Sequence, residues 1–236
     1  MRTRGFTLIE MILTIIVGSI LVLGIAGFVE LGSRGYADTV ARQRIQTQAK
    51  FVLEKMAREL RHAIPNSLAI STDTASQQCL SFYPIVYSGF YALDEADEKQ
   101  LSFIVGNVSG STTALNFDGL TMIINPSNQD EFSSGAGIAL SGSDTTISLS
   151  SPLAMASQSV AQRFYMYQNM VEYCLNYSAQ TITRNLVQVA DSLESGSFSY
   201  DEPTLQRGGV VHLSLGLAQN GESSHFEQDV QVLNVP

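Results

Sequence analysis

The sequence predicts an α+β protein in which a long N-terminal helix leads into an antiparallel, β-rich globular domain. Three observations carry that expectation. Met11 to Val29 are 19 residues without a charge, about the length that crosses a bilayer as a helix. The first proline is Pro65, so nothing between Phe6 and Ile64 forbids a continuous helix, which at 1.5 Å per residue would be roughly 87 Å long. Beyond Pro65 the apolar period changes from 3.6 to 2, the mark of strands.

The second half of the helix is amphipathic. In ARQRIQTQAKFVLEKMARELRHAIPNS, apolar residues recur at Ile45, Ala49, Val52, Met56, Leu60 and Ala63, one helical face that is expected to pack on the protein's own sheet. Arg42, Arg44, Lys50, Lys55, Arg58 and Arg61 fall mostly elsewhere and read as a solvated face. Gly24, Gly27, Gly32 and Gly35 are weak points, each costing up to about 1 kcal/mol relative to alanine. The Ile64-Pro65-Asn66 break is expected to end the helix, because the residue before a proline avoids the helical region.

In the domain, CLSFYPIVYSGFYAL is rich in aromatic and β-branched residues and reads as strand, with Pro84 favouring an edge or bulge. Residues 105–160 are rich in Gly, Ser and Thr and read as short strands and long loops. Val171, Tyr173, Leu175 and Tyr177 share one face of a strand, as do Val211, Leu213, Leu215 and Leu217. VQVLNVP reads as a last strand. Neither an internal repeat nor a second domain boundary is visible.

Charge divides the chain. Residues 1–63 hold nine of the 13 Lys and Arg and five of the 22 acids, a balance of +4; residues 64–236 carry −13. So acidic a domain repels phosphate backbones, which argues against nucleic acid as a partner. Arg2 and Arg4 precede the apolar run, so the N-terminus stays cytoplasmic and the domain crosses the membrane. Cys79 and Cys174 have no CxxC or histidine spacing for zinc. In an oxidising compartment they read as a disulfide; two free buried thiols are the alternative.

Glu10 stands alone at the edge of the apolar run, and three readings compete. A secretory signal peptide, with Gly24-Ile25-Ala26 as its cleavage site, puts Glu10 inside the apolar core. A plain anchor tolerates it only near the membrane surface. In the third reading, Gly5-Phe6-Thr7-Leu8-Ile9-Glu10 resembles the processing site of type IV pilins and pseudopilins.

That resemblance implies a type IV pilin-like fold, with the first half of the helix membrane-spanning. It implies that a prepilin peptidase cuts between Gly5 and Phe6 and N-methylates Phe6. Phe6 and Glu10 become the subunit-assembly residues, since a carboxylate and a neighbour's terminal amine offset much of each other's cost in hydrocarbon. The implied segments are a leader (1–5), a transmembrane and assembly half-helix (6–29), an amphipathic half-helix (30–64) and a periplasmic β-rich domain (65–236). The implied partners are the peptidase, the other major and minor pilins of the filament, and the inner membrane; the final location is the extracellular pilus. The basic stem residues could then meet acidic surfaces of neighbouring subunits. Many pilins carry a proline in the membrane half, and this chain does not.

FVLEKMARELRHAIPNS resembles the stems of larger minor pilins and of J-type pseudopilins of type II secretion. With QQCLSFYPI, AQRFYMYQNMVEYC and the closing NVP it is also similar to O-type minor pilins of MSHA (mannose-sensitive haemagglutinin) pili. The likeness is weak over residues 90–155. It implies a minor pilin that primes assembly or sits near the tip; a secretion pseudopilin and an adhesive tip module are the alternatives. No GxSxG, Walker loop or HExxH occurs, and His62, His212 and His225 have no motif-level nucleophile. The expectation is a non-enzyme without cofactor, metal or small-molecule substrate. Asp94-Glu95-Ala96-Asp97-Glu98 reads as a solvated acidic loop before a calcium site, and Asn107-Val108-Ser109 and Asn176-Tyr177-Ser178 fit the short glycosylation pattern.

Overall fold

The computed structural model of the chain describes residues 5–74, 76–106, 115–154, 157–203 and 207–232. Arg2, Arg4, the Asn107-Val108-Ser109 pattern and the terminal Asn234-Val235-Pro236 lie outside the described residues.

Helix α1 (Leu8–Leu60) runs unbroken for 53 residues, about 80 Å. Gly18, Gly24, Gly27, Gly32 and Gly35 do not interrupt it. Side chains from Leu8 to Val40 lie open almost without exception, whereas from Ala41 a stripe of Ala41, Ile45, Ala49, Val52, Leu53, Met56, Ala57 and Leu60 is buried. The expected face is all there, and Ala63 beyond the helix is buried too. Leu53 and Ala57 widen it, because a core-facing helix buries more than one residue per turn.

The helix stops at Leu60, short of the expected break. Ala63 forms a bridge with Pro84, Ile64 N–H donates to the Tyr83 carbonyl at 2.8 Å, and Ile85 N–H donates to the His62 carbonyl at 2.9 Å. Strand-like pairing has claimed the backbone groups that another helical turn would need.

Fourteen strands are described after it: β1 (Ala69–Thr74), β2 (Gln77–Phe82), β3 (Tyr87–Leu93), β4 (Gln100–Val105), β5 (Thr121–Ile123), then a short helix α2 (Asp130–Ser133), β6 (Ile138–Ala139), β7 (Thr146–Ser148), β8 (Arg163–Tyr167), β9 (Val171–Asn176), β10 (Thr181–Arg184), β11 (Val187–Ala190), β12 (Leu193–Asp201), β13 (Gly209–Gln219) and β14 (Glu222–Val232). They form three antiparallel sheets with strand orders β1-β2-β9-β10-β11, β12-β13-β14 and β6-β5-β8-β3-β4-β7. Pro84 lies in none of them. It falls between β2 and β3, where the chain leaves the first sheet for the third, a sensible place for a residue that cannot donate to a ladder.

Two cores result. The larger joins the α1 stripe to Leu80, Phe82, Tyr173 and Leu175 of the first sheet and to Val211, Leu213, Leu215 and Leu217 of β13. Each large aliphatic side chain fully buried there contributes about 1.5–3 kcal/mol. The smaller, built on Phe103, Phe117, Met122, Phe164 and Met166, belongs to the unit inserted between β2 and β9. In a third cluster Ile64, just past α1, packs with Ile123, Phe132, Tyr167 and Tyr83 of the inserted unit, with Tyr83 and Phe132 stacked at 4.7 Å and Tyr83 edge-on to Tyr167 at 4.9 Å.

The insertion is closed at its base. Strands β2 and β9 are antiparallel neighbours, Cys79 faces Cys174 in register, and the two are disulfide-bonded across a sequence separation of 95. Ring closure over so long a loop restricts the unfolded chain. Substituting both cysteines by serine is expected to lower the unfolding free energy by about 2–4 kcal/mol in chemical denaturation, and reduction of the unmodified protein should reproduce that loss.

Candidate functional site

The processing segment precedes the helix. Gly5, Phe6 and Thr7 are non-helical, and Phe6 is 78% exposed. A peptide bond in that position is open to a protease, which needs an extended substrate, while one turn later the backbone is locked by helical hydrogen bonds. Thr7 is the N-cap (φ −83°, ψ 151°), and the Glu10 and Met11 amides donate to its carbonyl at 3.1 and 3.3 Å.

Glu10 folds back onto this start. Its Oε2 lies 3.5 Å from the Thr7 amide and 3.4 Å from the Thr7 hydroxyl, the arrangement of a capping box. Sequence reasoning missed this role, although Thr7-Leu8-Ile9-Glu10 ahead of an apolar run is its signature. Glu10 therefore has a partner before processing: it holds the helix start and is placed one turn from Phe6. Cleavage after Gly5 would turn the Phe6 nitrogen from an amide into an amine, a stronger partner for a carboxylate.

The stem is tied to its own domain through cations expected to be solvated. Arg42 donates to Glu222 Oε2 through both Nη2 (2.7 Å) and Nε (3.1 Å), and Arg44 pairs with Asp191 at 2.7 Å. Near the other end, Glu59 Oε2 accepts from the Tyr173 phenol and from Arg184 Nε, each at 3.0 Å, with Lys55 3.6 Å from Oε1. Burial, then the Glu59 charge, pushes the Tyr173 phenol far above its usual range. No sequence pattern links Glu59 to residues more than 100 positions away.

Each histidine has partners among the described residues. His62 Nδ1 bonds the Arg58 carbonyl at 2.9 Å. His225 Nε2 faces both Ser214 Oγ (3.3 Å) and Glu227 (3.2 Å), whereas a triad uses the two ring nitrogens for these two partners. His212 bridges two carboxylates, Asp229 from Nδ1 at 2.7 Å and Asp201 from Nε2 at 3.6 Å. Among the described residues, Cys79, Glu172 and Cys174 come together as a metal-like group, but the sulfurs are bonded to each other. In the acidic loop, Asp94 accepts from the Ala96 amide at 2.8 Å and Asp97 from the Lys99 amide at 3.1 Å, so both carboxylates cap the turn between β3 and β4. Asn176 donates to Thr183 Oγ1 at 3.3 Å at the end of β9.

Residues 1–26 match the family model of the prokaryotic N-terminal methylation motif. The match spans Gly5, Phe6, Glu10 and the first part of α1, and it supports a pilin-type function in a pilus or pseudopilus, with processing by prepilin peptidase and assembly with other pilins. Helix α1 is the described helix long and apolar enough to cross a membrane, which with this signal fits inner-membrane anchoring. No curated protein and no solved structure gives a match.

Two outcomes follow from these contacts. Glu59→Gln leaves Arg184 without its counter-charge and should cost about 1–3 kcal/mol in denaturant unfolding. The hydrogen bond to Asp229, aided by the charges of Asp229 and Asp201, raises the His212 pKa above its ordinary value. A raised folded value means a stabilising contribution that is complete below the unfolded pKa, about 6.5, and disappears as pH rises through the folded value. An NMR titration should place the His212 midpoint above that of a free histidine, and Asp229→Asn should bring it back down.

Proposed function

We propose that this chain is a minor pilin of an MSHA-type IV pilus, a non-catalytic subunit that enters the filament through α1 and acts in assembly initiation or in the tip complex. The observation that carries the reading is the Gly5-Phe6…Glu10 constellation at the mouth of a helix whose first 33 residues, Leu8 to Val40, have no apolar surface of their own protein to cover them. A membrane and then neighbouring subunits supply that cover. The mature Phe6 amine and the Glu10 of an adjacent subunit form the pair that registers one stem against the next.

The distribution of the likeness supports the narrower assignment. The stem segment lies on α1, QQCLSF is β2, and AQRFYMYQNMVEYC covers β8 and the disulfide-bearing half of β9. The helix, β2 and β9 frame the larger core, whereas β8 and the weakly similar span 90–155 belong to the inserted unit. That unit adds bulk away from the stem, which suits a position near a tip better than one in a closely packed shaft. A disulfide suits the periplasm.

Mass analysis of the membrane-extracted protein is expected to find N-methylated Phe6 only in cells with the prepilin peptidase; an intact Met1 or a start at Gly27 would sink the reading. Glu10→Ala leaves an amine unpaired in hydrocarbon at about 3 kcal/mol, roughly a hundredfold in the assembly equilibrium, and should abolish incorporation while the domain stays folded. Loss of surface pili with intact protein secretion on deletion of the gene would favour the pilus; the reverse would make it a pseudopilin.

A further inference from the structure

Strand β14 closes the β12-β13-β14 sheet, and no described strand pairs with its far side. At 11 residues it is a long edge. The opposite edge of the same sheet is covered. There the Gln78 side chain bonds both the N–H and the C=O of Phe198, at 2.9 and 3.0 Å, and the Tyr177 hydroxyl donates to the Gly196 carbonyl at 3.1 Å. The β13-β14 hairpin tells which groups of β14 are free. Gln219 and Glu222 face each other across the two-residue turn Asn220-Gly221, so that pair exchanges hydrogen bonds. Ser223, His225, Glu227, Asp229 and Gln231 then point N–H and C=O away from β13, and all five are exposed. A long bare edge is a template for another strand.

The second edge beside the stem is β11, the last strand of its sheet. Arg184 and Val187 flank a two-residue turn, so Gln188 presents its N–H and C=O outward, and a register shift at Ile182 and Thr183 keeps the free stretch short. The two edges lie on opposite flanks of α1. Arg42 holds Glu222 at the start of β14 and Arg44 holds Asp191 just past β11, and residues two apart on a helix stand about 200° apart around its axis. The edges also run in opposite directions. Glu222 lies beside Arg42, and His225 to Gln228 share a groove with Gln46, Lys50, Leu53 and Glu54, so β14 runs parallel to α1. Arg184 lies beside Glu59 and Asp191 beside Arg44, so β11 runs antiparallel to it.

We propose that β14 of one copy of this chain takes β11 of a second copy as an added antiparallel strand, side by side and head to tail. The assignment rests on the filament reading above, in which all stems point the same way. With stems parallel, two β14 edges would run parallel to each other, and so would two β11 edges; of the three pairings only β14 with β11 is antiparallel. Charge favours the same choice. Beside β14, Arg42 and Lys50 offset Glu222 and Glu54, which leaves Glu227 and Asp229, each bonded to a histidine. Beside β11, Arg44 offsets Asp191, and Lys55 and Arg184 offset Glu59 and Glu172, so this edge brings no surplus acid where a second β14 would. Side chains fit as well. Gln188 lies opposite Thr183 on the polar face and meets His225 or Glu227, while Val187, opposite Arg184, lies on the α1 side toward the groove of about 600 Å³ beside Leu53 and Phe226. A Glu10 that reaches the neighbour's Phe6 shifts adjacent stems by four helical residues, about 6 Å, close to the two strand residues that preserve the facing of side chains. A short ladder suffices, because stems held in one membrane are already concentrated.

The test uses the full-length chain in cells that assemble the filament. Gln188→Cys is combined with His225→Cys or with Glu227→Cys, all at exposed positions, and sheared filaments are oxidised and run without reductant. At least one combination should give a ladder of disulfide-linked copies. It should be at least roughly tenfold stronger than with Gln188→Cys and Gln228→Cys, whose second thiol lies on the other face of β14. Each cysteine alone should give no product. A dimer from Glu227→Cys alone would mean that two β14 edges meet, and would overturn the proposal. Filaments that contain the cysteine pairs but show no ladder, or only links to a different protein, would overturn it too. Glu10→Ala should remove the ladder together with incorporation. If Glu10→Ala is incorporated normally, the filament reading itself fails, and the proposal with it.

Discussion

Burial of one stripe of α1 is the interaction on which the other parts depend. The stripe from Ala41 to Leu60 fills the space between the first sheet and the β12-β13-β14 sheet, and without it Leu80, Tyr173, Leu213 and Leu215 would face water. The same helix continues 33 residues beyond the domain with no apolar partner from its own chain. Hydrophobic burial is non-directional, so the outer half accepts hydrocarbon or other stems equally well, and that indifference lets one helix serve as membrane anchor and filament element. What changes along it is the width of the apolar surface, from all around to one face.

Polar contacts decide where that helix sits, more than how strongly it is held. Arg42 with Glu222 and Arg44 with Asp191 are largely exposed pairs and contribute little to stability. They set the point where the stem leaves the domain. The Glu59, Tyr173 and Arg184 cluster is more enclosed and fixes the rotation of the last turns against β9 and β10. Acids of the domain are thereby consumed by bases of the stem, so the charge asymmetry of the chain acts first within the molecule.

The inserted unit has its own core and meets the frame where Ile64 packs with Tyr83, Phe132 and Tyr167. With Cys79 bonded to Cys174 at the strands that open and close it, the insertion leaves the pairing of β2 and β9 intact. The inserted unit is thus carried on the frame without disturbing the helix-bearing core.

Local chemistry made several features legible. Period-3.6 spacing of Ile45, Ala49, Val52, Met56 and Leu60 identified the packed face, period-2 spacing identified β9 and β13, and a lone Glu10 beside an uncharged run marked the site; each signal lies within a few residues of chain. Even the Thr7 to Glu10 cap was present in that form. Other features had no local signal. The end of α1 at Leu60 depends on Tyr83 and Pro84, and the placing of Arg42 on Glu222 spans 180 positions. The sequence by itself determined which segments bury and on which face, because side-chain periodicity is a property of neighbours. Only the tertiary structure decided which distant charges meet and where the helix stops, because long-range contacts depend on how the sheets pack.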